Sequence, residues 1–91
     1  MNTPPIELIA TELQRQQLKY NPEHDDQHAQ CELLAAAANY MFYGATCDVP
    51  GLDGIPYPFE DDLLPRQYRI DNLVCAASLI CAEIARLQRL K

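Results

Sequence analysis

Basic residues are missing from the middle of this 91-residue chain. Between Lys19 and Arg66 stand nine acids and no lysine or arginine, and the net charge is −6. General nucleic-acid binding needs a continuous basic footprint, so nucleic acid is not an expected partner. A partner with a basic surface, a metal, or mimicry of DNA stays open. Serine occurs once, at Ser78 inside an apolar segment, and no nucleophile–base pair is recognisable. That argues against serine hydrolase chemistry. With three glycines there is no phosphate-binding glycine loop, and no heptad zipper is legible. No run of 18 apolar residues occurs, so no membrane span or membrane partner is expected. The opening Met1-Asn2-Thr3-Pro4-Pro5 has neither the basic nor the apolar segment of a secretory signal, and the expected location is a cytoplasm. The four cysteines form no CxxC pair, against a cysteine zinc cluster. Cys31, Cys75 and Cys81 sit among alanines and leucines, where a free thiol behaves as a small apolar group.

What is there reads as helix. Thr3 can cap a first helix from about Pro4 to Tyr20, with Ile6, Ile9, Ala10, Leu13 and Tyr20 as its apolar stripe and Gln14, Arg15, Gln16, Gln17 and Lys19 solvated. Asn21 and Pro22 are a cap and a first-turn residue for a second helix, predicted from Pro22 to about Ala45. Glu23, Asp25 and Asp26 suit the positive end of its dipole. Its alanine run, Ala35 to Ala38, permits close approach of a neighbour, and Asn39 needs a partner if buried. Residues 44–65 hold three glycines and four prolines and exclude a regular helix; Pro50-Gly51 and Asp53-Gly54 are turn signals. Ile55, Tyr57 and Phe59 predict that this loop packs back on the helices, as a flap over the acidic face of the second helix or as an ordered spacer.

A third helix is predicted from about Arg66 to Leu90. From Leu73 to Ala85 only Ser78 and Glu83 are polar, and a helix apolar on nearly all sides must be covered on nearly all sides. Two partner helices from one short chain cannot do that. The expected architecture is therefore all-α: one domain, a three-helix antiparallel bundle with a long ordered loop between helices 2 and 3, assembled as a homo-oligomer with helix 3 at its centre.

The acidic helix start also carries metal-ligand spacing. His24, His28 and Glu32 recur at i, i+4, i+8 on one helical face, with Asp25 on its flank. Two imidazoles one turn apart plus carboxylates can hold Zn²⁺, Mn²⁺ or Mg²⁺. In an antiparallel hairpin Glu83 falls nearer His28 and Glu32 than Asp71 does, and would complete the set. The alternative is an ordinary polar network in which His28 hydrogen-bonds Asp25 or Glu32.

The stretch Asn21-Pro22-Glu23-His24-Asp25-Asp26-Gln27-His28 resembles a signature of small phage and prophage proteins of unassigned function. Arg15-Gln16-Gln17, Glu32-Leu33 with the alanines, Tyr57-Pro58-Phe59, Asp71 to Val74 and Ala82 to Leu87 extend the resemblance over most of the chain. Cys31 stands where that pattern has glycine, Tyr57 and Phe59 where it has tryptophans, and Cys75 where a lysine is usual. The resemblance implies a phage accessory protein acting in a host bacterial cytoplasm. More distantly the chain is similar to all-α nucleotide pyrophosphohydrolases, which bind Mg²⁺ through a Glu-x-x-Glu and a Glu-x-x-Asp. In their place this chain offers His28 and Glu32, then Asp71 and Glu83.

Three functions are consistent with these features. The first is a non-catalytic, anti-defence binding protein, a homo-oligomer that sequesters a small nucleotide-type ligand or blocks a host protein. Arg66, Tyr68 and Arg69 would contact phosphate, and Tyr57 or Phe59 would stack on a base. The second is a divalent-metal-dependent hydrolase with His24, Asp25, His28, Glu32 and Glu83 as ligands. The third is an acidic DNA mimic using the acid-only stretch from Glu23 to Asp62.

Overall fold

The computed structural model describes residues 3–19, 31–45, 49–52, 54–59 and 65–90. Among them lie three α-helices and no strand: α1, Pro5–Lys19; α2, Glu32–Gly44; and α3, Arg69–Arg89. The first and third begin and end within three residues of the positions read from sequence. The second does not begin at Pro22. Cys31 sits at φ 68°, ψ 21°, a left-handed conformation that no right-handed helix can pass through, so α2 starts at Glu32. Asn21, His24, Asp25 and His28 lie outside the described residues, as do the acids expected beneath a covering flap.

Both α1 and α2 pack on α3. Ser78 Oγ lies 3.3 Å from the Ile9 carbonyl and Cys75 Sγ 3.7 Å from Glu12, so rising numbers on α1 meet falling numbers on α3. Gly44 meets Leu73 at one end of α2, and Glu32 meets the charge of Glu83 at the other. Each of α1 and α2 is thus antiparallel to α3, and the two run parallel to one another.

The core between α2 and α3 is built from small side chains. Leu33, Ala36, Ala37, Cys75, Ala76 and Ala82 are all buried, and the alanines let the backbones approach closely. Gly44 belongs to the same close contact: a Cβ there would stand 2.6 Å from Leu73 Cδ2. At that corner Arg69 Nε donates to the Gly44 carbonyl at 2.8 Å, satisfying one of the last α2 carbonyls. Asn39 finds its partner within the helix, donating to the Ala35 carbonyl at 2.8 Å. In the connection to α3, Leu52 N donates to the Val49 carbonyl and Gly51 has φ 91°, a type II turn with Pro50 at its first corner. Ile55, Tyr57 and Phe59 are half-buried.

The third helix is turned inside out. Its buried residues include Asn72, Ser78, Glu83 and Arg86, whereas Ile70, Leu73, Ile80, Ile84 and Leu87 are exposed. No helix among the described residues is long and apolar enough to cross a membrane.

Candidate functional site

Two polar clusters involve α3, a half-buried one that links it to α1 and a buried one within the helix itself. The first is centred on Glu12 of α1, which borders Ile9 one turn along the helix. Its Oε2 accepts from Arg15 Nη2 at 2.6 Å, Gln16 Nε2 at 3.2 Å and the Cys75 thiol at 3.7 Å, and Oε1 accepts from Arg15 Nε at 2.9 Å. Arg66 Nη2 adds a charge contact at 3.6 Å. Burial works to raise the Glu12 pKa, but the hydrogen bonds and charges of Arg15, Gln16 and Arg66 outweigh it and hold the carboxyl below its ordinary value. Tyr40 of α2 faces the same cluster; burial, with the nearby Cys75 and Glu12, pushes its phenol up. Burial and then Glu12 push the Cys75 thiol up to about 11. It is therefore a protonated donor at neutral pH and no nucleophile.

The second cluster is the Glu83–Arg86 pair one turn apart on α3. Arg86 Nε donates to Glu83 Oε1 at 2.7 Å and Nη2 to Oε2 at 2.9 Å, with both residues buried. The Arg86 hydrogen bonds lower the Glu83 pKa against its burial, while Glu32 pushes the other way. A third arrangement fixes the entry to α3. Asn72 is buried; its Oδ1 accepts from Arg66 N at 2.8 Å, and its Nδ2 donates to the carbonyls of Arg66 at 3.1 Å and Tyr68 at 3.3 Å.

This geometry assigns work to the residues singled out from sequence. Of the five proposed ligand contacts, Arg66 lies against Glu12 and Arg69 holds the end of α2. Tyr57 and Phe59 meet edge to face with centroids 5.5 Å apart, which is not the parallel gap a base would enter. Tyr68 is 62 % exposed. Of the five proposed metal ligands, Glu32 lies near enough to Glu83 for its charge to act on it. Both Glu83 oxygens, however, receive Arg86, and the left-handed Cys31 stands immediately before Glu32; His24, Asp25 and His28 lie outside the described residues. No group of three candidate metal ligands forms among the described residues.

Sequence reasoning passed over Glu12, Tyr40 and Asn72. The signal available for Glu12 was its place beside Ile9, at the edge of an apolar stripe. For Asn72 it was an amide at the start of an apolar helix. Ser78, rejected as a nucleophile, donates within α3 to the Val74 carbonyl at 2.8 Å and faces Ile9. No family model, curated protein or solved structure matches this chain.

Proposed function

We propose that this protein is a non-catalytic phage or prophage accessory protein that acts by binding, as a helical homo-oligomer, and that its target is a host protein in an anti-defence setting. The phage context rests on the resemblance carried by residues 21–28. Action by binding, in the first place to further copies of itself, is supported by one observation above the others: α3 buries Asn72, Ser78, Glu83 and Arg86 and exposes Ile70, Leu73, Ile80, Ile84 and Leu87. Exposed aliphatic surface organised along one helix marks a protein interaction site. The half-buried Glu12 and the buried Glu83 are both paired with arginines, which leaves neither as a general base or metal ligand without breaking a pair.

Light scattering on the eluting protein tests the assembly. A multiple of the 10.3 kDa protomer at micromolar concentration is expected, and a protomer mass throughout would overturn the reading. The small-ligand version keeps one supporting observation, the outward Arg66 and Tyr68 side chains at the entry to α3. Calorimetry with a nucleotide panel checks it. Heat that disappears in Arg66→Ala and Tyr68→Ala would favour sequestration over a protein target, and silence across the panel would remove that version. Metal-dependent hydrolysis would require turnover with Mg²⁺ or Mn²⁺ that Glu83→Gln abolishes.

A further inference from the structure

The exposed residues of α3 follow a pattern that its composition hides. Ile70, Leu73, Ala77, Ile80, Ile84 and Leu87 are separated by alternating steps of three and four, the a/d spacing of a coiled-coil seam. The five large ones expose 38 to 64 % of their surface, and Ala77 is half-buried. No charged residue interrupts the stripe. Along its edge stand Val74 and Cys81, also uncharged and half-buried.

The stripe does not end at α3. Leu73 lies over Gly44 and so marks the border with α2. Tyr40 of α2 turns to Glu12 and Cys75 on the α1 side. By helical spacing Leu34, Ala38 and Met41 lie on the side of α2 away from Tyr40. Leu34 is 40 % and Met41 37 % exposed. The seven large apolar side chains amount to on the order of 500 Å² of joined apolar surface, at the top of what a monomer carries and close to the roughly 800 Å² per partner of a standard interface before rim atoms are added.

We infer that this α2–α3 face packs on the same face of a second copy, with the two α3 helices antiparallel about a two-fold axis, giving a dimer whose interface is built from four helices. The inference rests on the homo-oligomer reading and specifies its geometry. A second copy is singled out because the stripe is complementary to itself when reversed. Ile70 then meets Leu87 of the other copy, Leu73 meets Ile84, and Ala77 meets Ile80, each a match of seam positions that antiparallel helices bring opposite. The central small–large pair interlocks, whereas a parallel pairing would set Ala77 on Ala77 and leave a gap where the helices should be tightest. Antiparallel helices also set their dipoles head to tail.

Two single variants and their mixture test this. Ala77→Glu and Ile80→Lys each place a charge in the seam, at partly exposed positions outside the protomer's buried core. Circular dichroism should show both helical. Native mass spectrometry should show wild type as a dimer and each variant as a monomer, with the dissociation constant raised by roughly 100-fold or more. Mixed together they should form a one-to-one heterodimer, because only the antiparallel register sets the new Glu against the new Lys while the second crossing stays Ala against Ile. A wild-type dimer untouched by either charge would overturn this interface and leave oligomerisation through another surface standing. Variants that stay monomeric when mixed would overturn the antiparallel register. A monomeric wild type would overturn both this inference and the homo-oligomer reading on which it rests.

Discussion

On the inner side of α3 stand Asn72, Ser78, Glu83 and Arg86; on the outer side stand Ile70, Ile80, Ile84 and Leu87, with Leu73 at the border over Gly44. A helix in a lone soluble protomer would place these sets the other way round. The inner set is tolerable because each member is paired: Asn72 makes three hydrogen bonds, Ser78 one within α3, and Glu83 with Arg86 two. Such pairs contribute little net stability over apolar residues of the same volume, since desolvation offsets most of their attraction. What they contribute is position, because breaking one partner is costly. The outer set makes no comparable demand within the protomer. The inner face therefore satisfies its polar groups largely within α3 and its entry, and much of the outer face is left exposed.

The sharpest way to break this comparison is Glu83→Gln. It leaves Arg86 buried without its carboxylate and should cost about 3 kcal/mol in denaturant unfolding. A loss below about 1 kcal/mol would mean that the pair is not desolvated. Asn72→Ala removes one acceptor and two donor contacts at the entry to α3, with an expected loss of about 2 kcal/mol; Asn72→Asp should not rescue it, since the carbonyls of Arg66 and Tyr68 need donors. Acid should act on the same inner face. Glu12 and Glu83 have folded pKa values below their ordinary ones, so their contribution is present above the ordinary carboxylate pKa and is lost as pH falls through the folded values. Melting temperature should drop on the acid side of the carboxylate range, with a smaller drop in Glu83→Gln; a flat profile would contradict the arginine pairing.

Smaller effects lie away from that face. Cys31→Gly should stabilise by about 0.5–1 kcal/mol, because glycine takes a left-handed φ without the Cβ clash and gives back only part of that gain as unfolded-state entropy. A destabilised Cys31→Gly would mean that the left-handed turn before α2 is not the populated conformation. Smallest of all, Ile84→Gln on the outer face should change protomer stability by no more than about 0.5 kcal/mol when measured below the concentration at which copies associate. A larger loss there would show that the outer face is packed within the protomer after all.

The all-helical class was legible because apolar residues recur at helical spacing and prolines and glycines cluster between the helical stretches. The interruption at Cys31 was not, since cysteine carries no left-handed preference. The Glu12 cluster was hidden because its members come from three separate segments, and Arg15 in isolation reads as solvated. The seam on α3 was hidden by its surroundings, since a helix apolar nearly all round shows no stripe until one face is covered.

Sequence by itself determined that the chain is helical, roughly where α1 and α3 begin and end, that the alanine run of α2 would meet a neighbour closely, and that α3 has more apolar surface than two short helices can cover. Only the tertiary structure decided which face of α3 goes inside. The hydrophobic effect counts area and has no direction, so it could not choose between two apolar faces. Packing chose: Cys75, Ala76 and Ala82 are buried with Ala36 and Ala37, Leu73 covers Gly44 at the border, and most of the larger aliphatic side chains of α3 are left on the outside.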